Sequence, residues 1–207
     1  AGELEKKGKR IIHFEIGDPE FDTPPHIVEA ARLSLKKGET HYADSMGLYD
    51  LRKAVQEYIY DSRGFKPEIN QILVTPGANI ILYLAISCLV NLRQEVVIPD
   101  PGFPTFKSII KLCGAKAVPV PLREEKNFRM DAKDLKKVIS KKTRMIIINS
   151  PSNPTGALMN QRELKNVISL VNYKEQPLDF DRLLGTFIKI LVEDASGVGH
   201  IELVGGA

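Results

Sequence analysis

Apolar residues recur along this chain in two alternating rhythms. Short runs rich in Val and Ile end in glycine or proline, and stretches with apolar positions three and four apart follow them. Residues 11–17, IIHFEIG, alternate as a strand ending at Gly17. Thr23 then reads as an N-cap with Pro24 at the first helical position, and Gly38 closes that helix. Residues 41–47, HYADSMG, form a polar loop. Leu48, Leu51, Val55, Tyr58 and Ile59 keep helical spacing up to Gly64. A strand–turn–helix unit then repeats. QILVTPG (71–77) leads into a helix starting near Ala78, and EVVIPDPG (95–102) into one through Lys107 and Ile110. AKAVPVPL (115–122) is a strand, followed by a helix capped by Asp131. RMIIINS (144–150) is a strand, followed by a helix over 160–171.

Strands alternating with helices predict an α/β fold with a mainly parallel sheet between helical layers. Ligands of such sheets sit beyond the carboxyl ends of the strands. The turn residues are concentrated there, at Gly77, at Asp100-Pro101-Gly102 and at Asn149 to Gly156. After about Leu170 the rhythm breaks. The tail is expected to hold a helix over 180–184, a strand over 187–192 that fills a gap in the sheet, and a short strand over 200–204.

Composition narrows the class without naming a function. The 207 residues are 43% hydrophobic and 27% charged, with a net charge of +3, as in an ordinary globular domain. The cations are scattered without interleaved aromatics, so no nucleic-acid partner is expected. The longest apolar run, Ile80 to Val90, is too short for a bilayer, and the charged first ten residues lack a leader's apolar segment. Cys88 and Cys113 read as reduced, buried thiols of a cytoplasmic protein. Neither H-E-x-x-H nor C-x-x-C is present, so no zinc site is expected.

Several turns carry candidate chemistry, each beside a plainer reading. VTPGAN (74–79) sets the backbone N–H groups of Gly77, Ala78 and Asn79 at a helix N-terminus, where a phosphate binds; an ordinary βα turn uses the same residues. PDPGFPTF places Phe103 to stack on a planar ligand or to pack in the core. Tyr42 can donate to a phosphate or face solvent from its loop. In SPSNPTG, Asn153 projects an amide suited to a phenolate-like oxygen, or simply makes an Asn-Pro turn.

In this order GDPEFDTP, HYADSMGLYDLRKAV, TPGAN, IPDPGFPTF and NSPSNPTG resemble the N-terminal half of class I/II aminotransferases, over about residues 11–170. The resemblance implies the three-layer αβα large domain of the aspartate-aminotransferase fold, incomplete here, and pyridoxal 5'-phosphate as cofactor. It implies a phosphate cup at Gly77, Ala78 and Asn79, ring stacking by Phe103, and a bond from Asn153 to the ring hydroxyl oxygen. It further implies that Tyr42 reaches the phosphate of a neighbouring subunit in a homodimer, and that Gly17 lies near the substrate carboxylate. The reaction implied is amino transfer from an amino acid to a 2-oxo acid. On this reading residues 1–40 are an arm and small-domain segment, 41–170 part of the cofactor domain, and 171–207 a tail unlike the family. The family's Ser-x-x-Lys segment is not found, so no Schiff-base lysine is assigned; Lys174 and Lys189 read as surface charges. The alternative is a non-catalytic fragment that binds the cofactor or dimerises.

Overall fold

The computed structural model describes residues 1–13, 17, 21–171, 190–193 and 199–202. Three helices come first: α1 (Gly2–Glu5), α2 (Pro25–Lys36) and α3 (Tyr49–Arg63). Next are α4 (Ala78–Leu89), β1 (Glu95–Asp100), α5 (Pro104–Leu112), β2 (Lys116–Pro121), α6 (Ala132–Val138), β3 (Thr143–Ile146) and α7 (Gln161–Val171). Two short strands, β4 (Ile190–Glu193) and β5 (Gly199–Glu202), complete the set.

β1 lies in the centre of a parallel sheet in the order β2–β1–β3. Side chains alternate across β1, and each face has its own core. Val96 and Ile98 join Leu82 and Ile86 of α4 and Phe106, Ile109 and Ile110 of α5 on one side. Val97 joins Val120, Leu135 of α6 and Val167 of α7 on the other. The predicted three-layer αβα arrangement is therefore present. The reversal of direction after β2 sets α5 and α6 on opposite faces, as right-handed connections require.

Prolines set the limits of the sheet. Lys116 N–H donates to Gln94 O, just ahead of β1, and Leu122 N–H to Asp100 O at its end, so even-numbered residues of β2 face β1. Pro119 and Pro121 then fall at outward positions and remove two donors from the free edge. Pro99 faces β3, one step past the bond from Ile147 N–H to Val97 O. It has no N–H to continue that ladder, which explains why β3 stops at Ile146 while the apolar run continues to Ile148.

Several expectations are corrected. The first long helix begins at Pro25 with Pro24, not Thr23, as N-cap. A residue before proline is pushed to extended backbone, so Pro24 cannot enter the helix ahead of Pro25. Gln71–Gly77 forms no strand. Ile69–Gln71 is a 3-10 turn, and Val74 N–H bonds Met46 O of the preceding loop instead of a strand. Ile11–His13 are irregular, and residues 14–16 lie outside the described residues. β4 pairs antiparallel with β5 and does not join the main sheet. The helix expected over 180–184, Lys174 and Lys189 also lie outside the described residues. Cys113 is half-buried, but Cys88 is exposed; two residues beyond the buried Ile86, it falls on the outer face of α4. Gly38 and Gly64 end their helices as expected, and Asp131 caps α6 through Lys133 N–H.

Candidate functional site

β1 and β3 are neighbours, yet the helices that follow them lie on opposite faces of the sheet. A crevice opens at such a reversal, beyond the carboxyl ends of the two strands. Phe103 follows β1 and Asn153 follows β3, so the two residues flank that crevice. α4 runs into β1 from the opposite direction, which brings its N-terminus to the same edge.

The turn after β3 is held by its own side chains. The Asn149 carboxamide oxygen is buried and accepts from Asn153 N–H. Ser150 Oγ accepts from Met159 N–H at 2.9 Å, and Thr155 Oγ1 from Ala157 N–H at 3.3 Å. Backbone bonds Gly156 N–H to Ser152 O and Ser152 N–H to Ala157 O close the loop. The Asn153 side-chain amide is exposed and makes no hydrogen bond among the described residues. Ser152 Oγ is buried and also lacks a partner among them. A buried hydroxyl without a partner is rare and unfavourable.

Phe103 is the N-cap of α5, half-buried, with its ring edge-to-face on Phe106 at 5.6 Å and 76°. Behind it, a Cβ on Gly102 would meet Pro99 O at 2.4 Å, so only glycine allows this turn to close on the strand.

Gly77 is the N-cap of α4, with φ 89° and ψ 158°. That backbone is open to glycine almost alone. No side chain caps the helix, so the first N–H groups, at Ala78 and Asn79, keep their donor capacity and the positive end of the dipole. Thr75 Oγ1 spends its proton on Gly77 O at 3.1 Å.

Two predicted residues are not gathered with these. Tyr42 is fully exposed. Its loop is tied to the chain ahead of α4 by the Val74–Met46 bond, and Gly47 packs on the Val74 side chain. Among the described residues Gly17 has nothing within 4 Å of where a Cβ would stand; its flanking residues lie outside them.

The densest charge cluster lies elsewhere, beside the end of β2. Asp134 is buried and accepts from Arg123 at 2.5 Å, Lys137 at 2.8 Å and Lys126 at 3.1 Å. Its carboxyl is held well below the usual carboxylate range, first by Lys137 and Lys126 and then by Arg123. Burial pushes the Cys113 thiol up, away from a reactive thiolate. Among the described residues no group of His, Cys, Asp and Glu is placed to hold a metal, and no helix is long and apolar enough to cross a membrane.

Three unused functions thus share one sheet edge: a bare helix N-terminus, an aromatic face and an unbonded amide. A helix N-terminus suits an anion, an aromatic face a planar group and a free amide an oxygen acceptor. Sequence reasoning named these three, but it did not find that Asn149 clamps the Asn153 backbone. The four-residue separation of the two asparagines was the available signal. The buried Ser152 hydroxyl had none.

Comparison with known proteins places the chain in a family. The family model described as aminotransferase class I and II matches residues 9–187. The chain belongs to this family. An aspartate aminotransferase of Pyrococcus horikoshii is 42% identical over 168 residues, 81% of this chain and 43% of that protein. An arginine–pyruvate transaminase of Pseudomonas aeruginosa is 40% identical over 152 residues, 73% of this chain and 39% of its own. Among solved structures, an aromatic aminotransferase from Pyrococcus horikoshii superposes with a TM-score of 0.75 at 34% identity, covering 86% of this chain and 53% of that one. An aspartate aminotransferase from Rhizobium meliloti gives 0.82 at 26%, covering 98% and 57%. The chain therefore spans about two fifths of the curated relatives it matches. Class I and II aminotransferases are pyridoxal-phosphate enzymes, and the fold described above is that of their large domain.

Proposed function

We propose that this chain is the cofactor-receiving part of a pyridoxal-phosphate-dependent aminotransferase, which transfers an amino group from an amino acid to a 2-oxo acid in cytoplasmic amino acid metabolism. One feature supports the reading: in a member of this family, Phe103 follows β1, Asn153 follows β3 and Gly77 opens the helix ahead of β1, so the chain order sets all three toward the carboxyl edge of the sheet. Residues 41–170 belong to the cofactor domain on this reading, 1–40 to an arm and small-domain segment, and 171–207 to a tail, into which the family match reaches as far as residue 187.

The bound cofactor supplies an electron sink for the amino acid's α-carbon. The chain's own residues bind and orient. N–H groups of Ala78 and Asn79 hold the phosphate; the Gly77 N–H, the third donor of the expected cup, is bonded to Thr75 O at 2.8 Å and joins them only on giving up that bond. Phe103 covers one ring face and keeps water from it. Asn153 donates from its amide to the ring oxygen, and Asn149 fixes the backbone from which that amide projects. Gly17 lies near the substrate carboxylate. Tyr42, exposed on a loop tied to the approach to Gly77, serves the phosphate site of a second copy, so the working form is a homodimer. With no Schiff-base lysine assigned, the 207 residues alone are expected not to turn over. The second reading, a fragment that binds cofactor or dimerises without catalysis, draws on the same short span.

The test is a spectroscopic titration of the chain with pyridoxal phosphate, followed by borohydride fixation and peptide mapping. One saturable site is expected, weakened about tenfold by Asn153→Ala. Absence of saturable binding, or indifference to that substitution, overturns the assignment. Fixation to a single tail lysine would give the chain a catalytic amine and overturn the expectation of inactivity.

A further inference from the structure

A groove of about 470 Å³ runs along the flank of α5 over β1 and the edge strand β2. That volume lies within the range of small-molecule sites. Its floor is apolar, from Ile98, Ala117 and Pro119. Ala117 and Pro119 share one face of β2 by strand alternation. Its wall is the exposed side of α5, with Lys107, Ser108 and Lys111. The two lysines are four residues apart, about 6 Å along the helix, so both ammonium groups serve one stretch of the groove.

Neither lysine has a carboxylate within ion-pair reach among the described residues, whereas Lys116, Arg123, Lys126 and Lys137 are all paired. Ser108 Oγ is 3.4 Å from Pro104 O, too long to engage its hydroxyl fully. Asp100 lines the opposite end, beside Phe103. The groove thus has an apolar floor, a cationic end and an anionic end.

We propose that this groove binds a small amphipathic anion. An aromatic acid fits: its ring lies on Ile98, Ala117 and Pro119, and its acid group meets Lys107 and Lys111. Asp100 fixes the direction, because it repels an acid group placed at its own end. Phe103 is at once the cap of α5 and a wall of this groove, so an occupant there touches the residue that flanks the β1–β3 crevice.

The probe is 2-naphthoate, observed by saturation-transfer NMR on the 207-residue chain. Saturable binding is expected. It should weaken at least about tenfold in the double variant Lys107→Glu/Lys111→Glu and stay unchanged in Lys36→Glu/Lys37→Glu at the C-terminal end of α2. Ala117→Phe, which fills the floor without altering charge, should weaken it too. Circular dichroism of each variant separates a lost fold from a lost site. The proposal is overturned by absence of saturable binding, by equal binding in the Lys107/Lys111 variant, or by equal loss in the Lys36/Lys37 variant.

Discussion

Asp134 shows what one carboxylate contributes. In the unfolded chain it takes up a proton near pH 4, at about 3.9. In the folded chain three cations hold it ionised to far lower pH. Its folded value is depressed, so its stabilisation is complete above about pH 4 and is lost as pH falls below that. Asp134→Asn should flatten the acid limb of a plot of unfolding midpoint against pH between about 4 and 2, while the wild type keeps falling. Parallel curves for the two proteins would contradict this. Added salt should also narrow the gap, because Lys126, Arg123 and Lys137 are well exposed. At this scale the sequence was legible where a residue type has one main use. Asp131 as a cap and the glycines at 64 and 77 are examples. It was not legible where a role depends on a fold-level neighbour, as with Arg123 and Asp134, eleven residues apart and brought together only by the end of β2.

Elements were read well where the expected strand found its ladder, and poorly where no partner strand was there to meet it. β1 and β2 are fully paired, and both stand close to their expected limits. Residues 71–77 have comparable β-propensity, but their backbone bonds a loop, and no strand forms. Isolated propensity does not make a strand without a ladder. The reverse holds at the outer side of β2, where pattern alone would not reveal that Pro119 and Pro121 both face outward. The prediction is that Pro119→Val/Pro121→Val, which restores two outward donors, raises self-association in sedimentation velocity. Val at Ala117, already a donor position, is the control and should leave it unchanged. An unaltered profile for the double variant would show that the edge is guarded by something else.

Across the whole chain, burial is uneven. α2 has no buried residue, and Leu51 and Tyr58 of α3 are exposed although their spacing marks an apolar face. The two cores lie between α4 and α7, around the sheet. Ile27→Ala/Leu35→Ala on α2 should therefore change unfolding free energy by less than about 1 kcal/mol in urea denaturation. A loss several times larger would place part of the core in the arm. The apolar spacing of α2 and α3 was readable in the sequence; the lack of cover over it was not, because spacing identifies a face and says nothing of what meets it.

The prolines of the sheet also bear on how it is synthesised. β1 and β2 leave the ribosome before β3, so a two-stranded ribbon exists for the time needed to make some twenty residues. A ribbon with two open edges would invite pairing with neighbouring nascent chains. Here one margin lacks donors at Pro119 and Pro121, and the other is interrupted at Pro99. The half-made sheet can extend along two short stretches only, at Ala117 on one margin and around Val97 on the other, where its own next strand arrives.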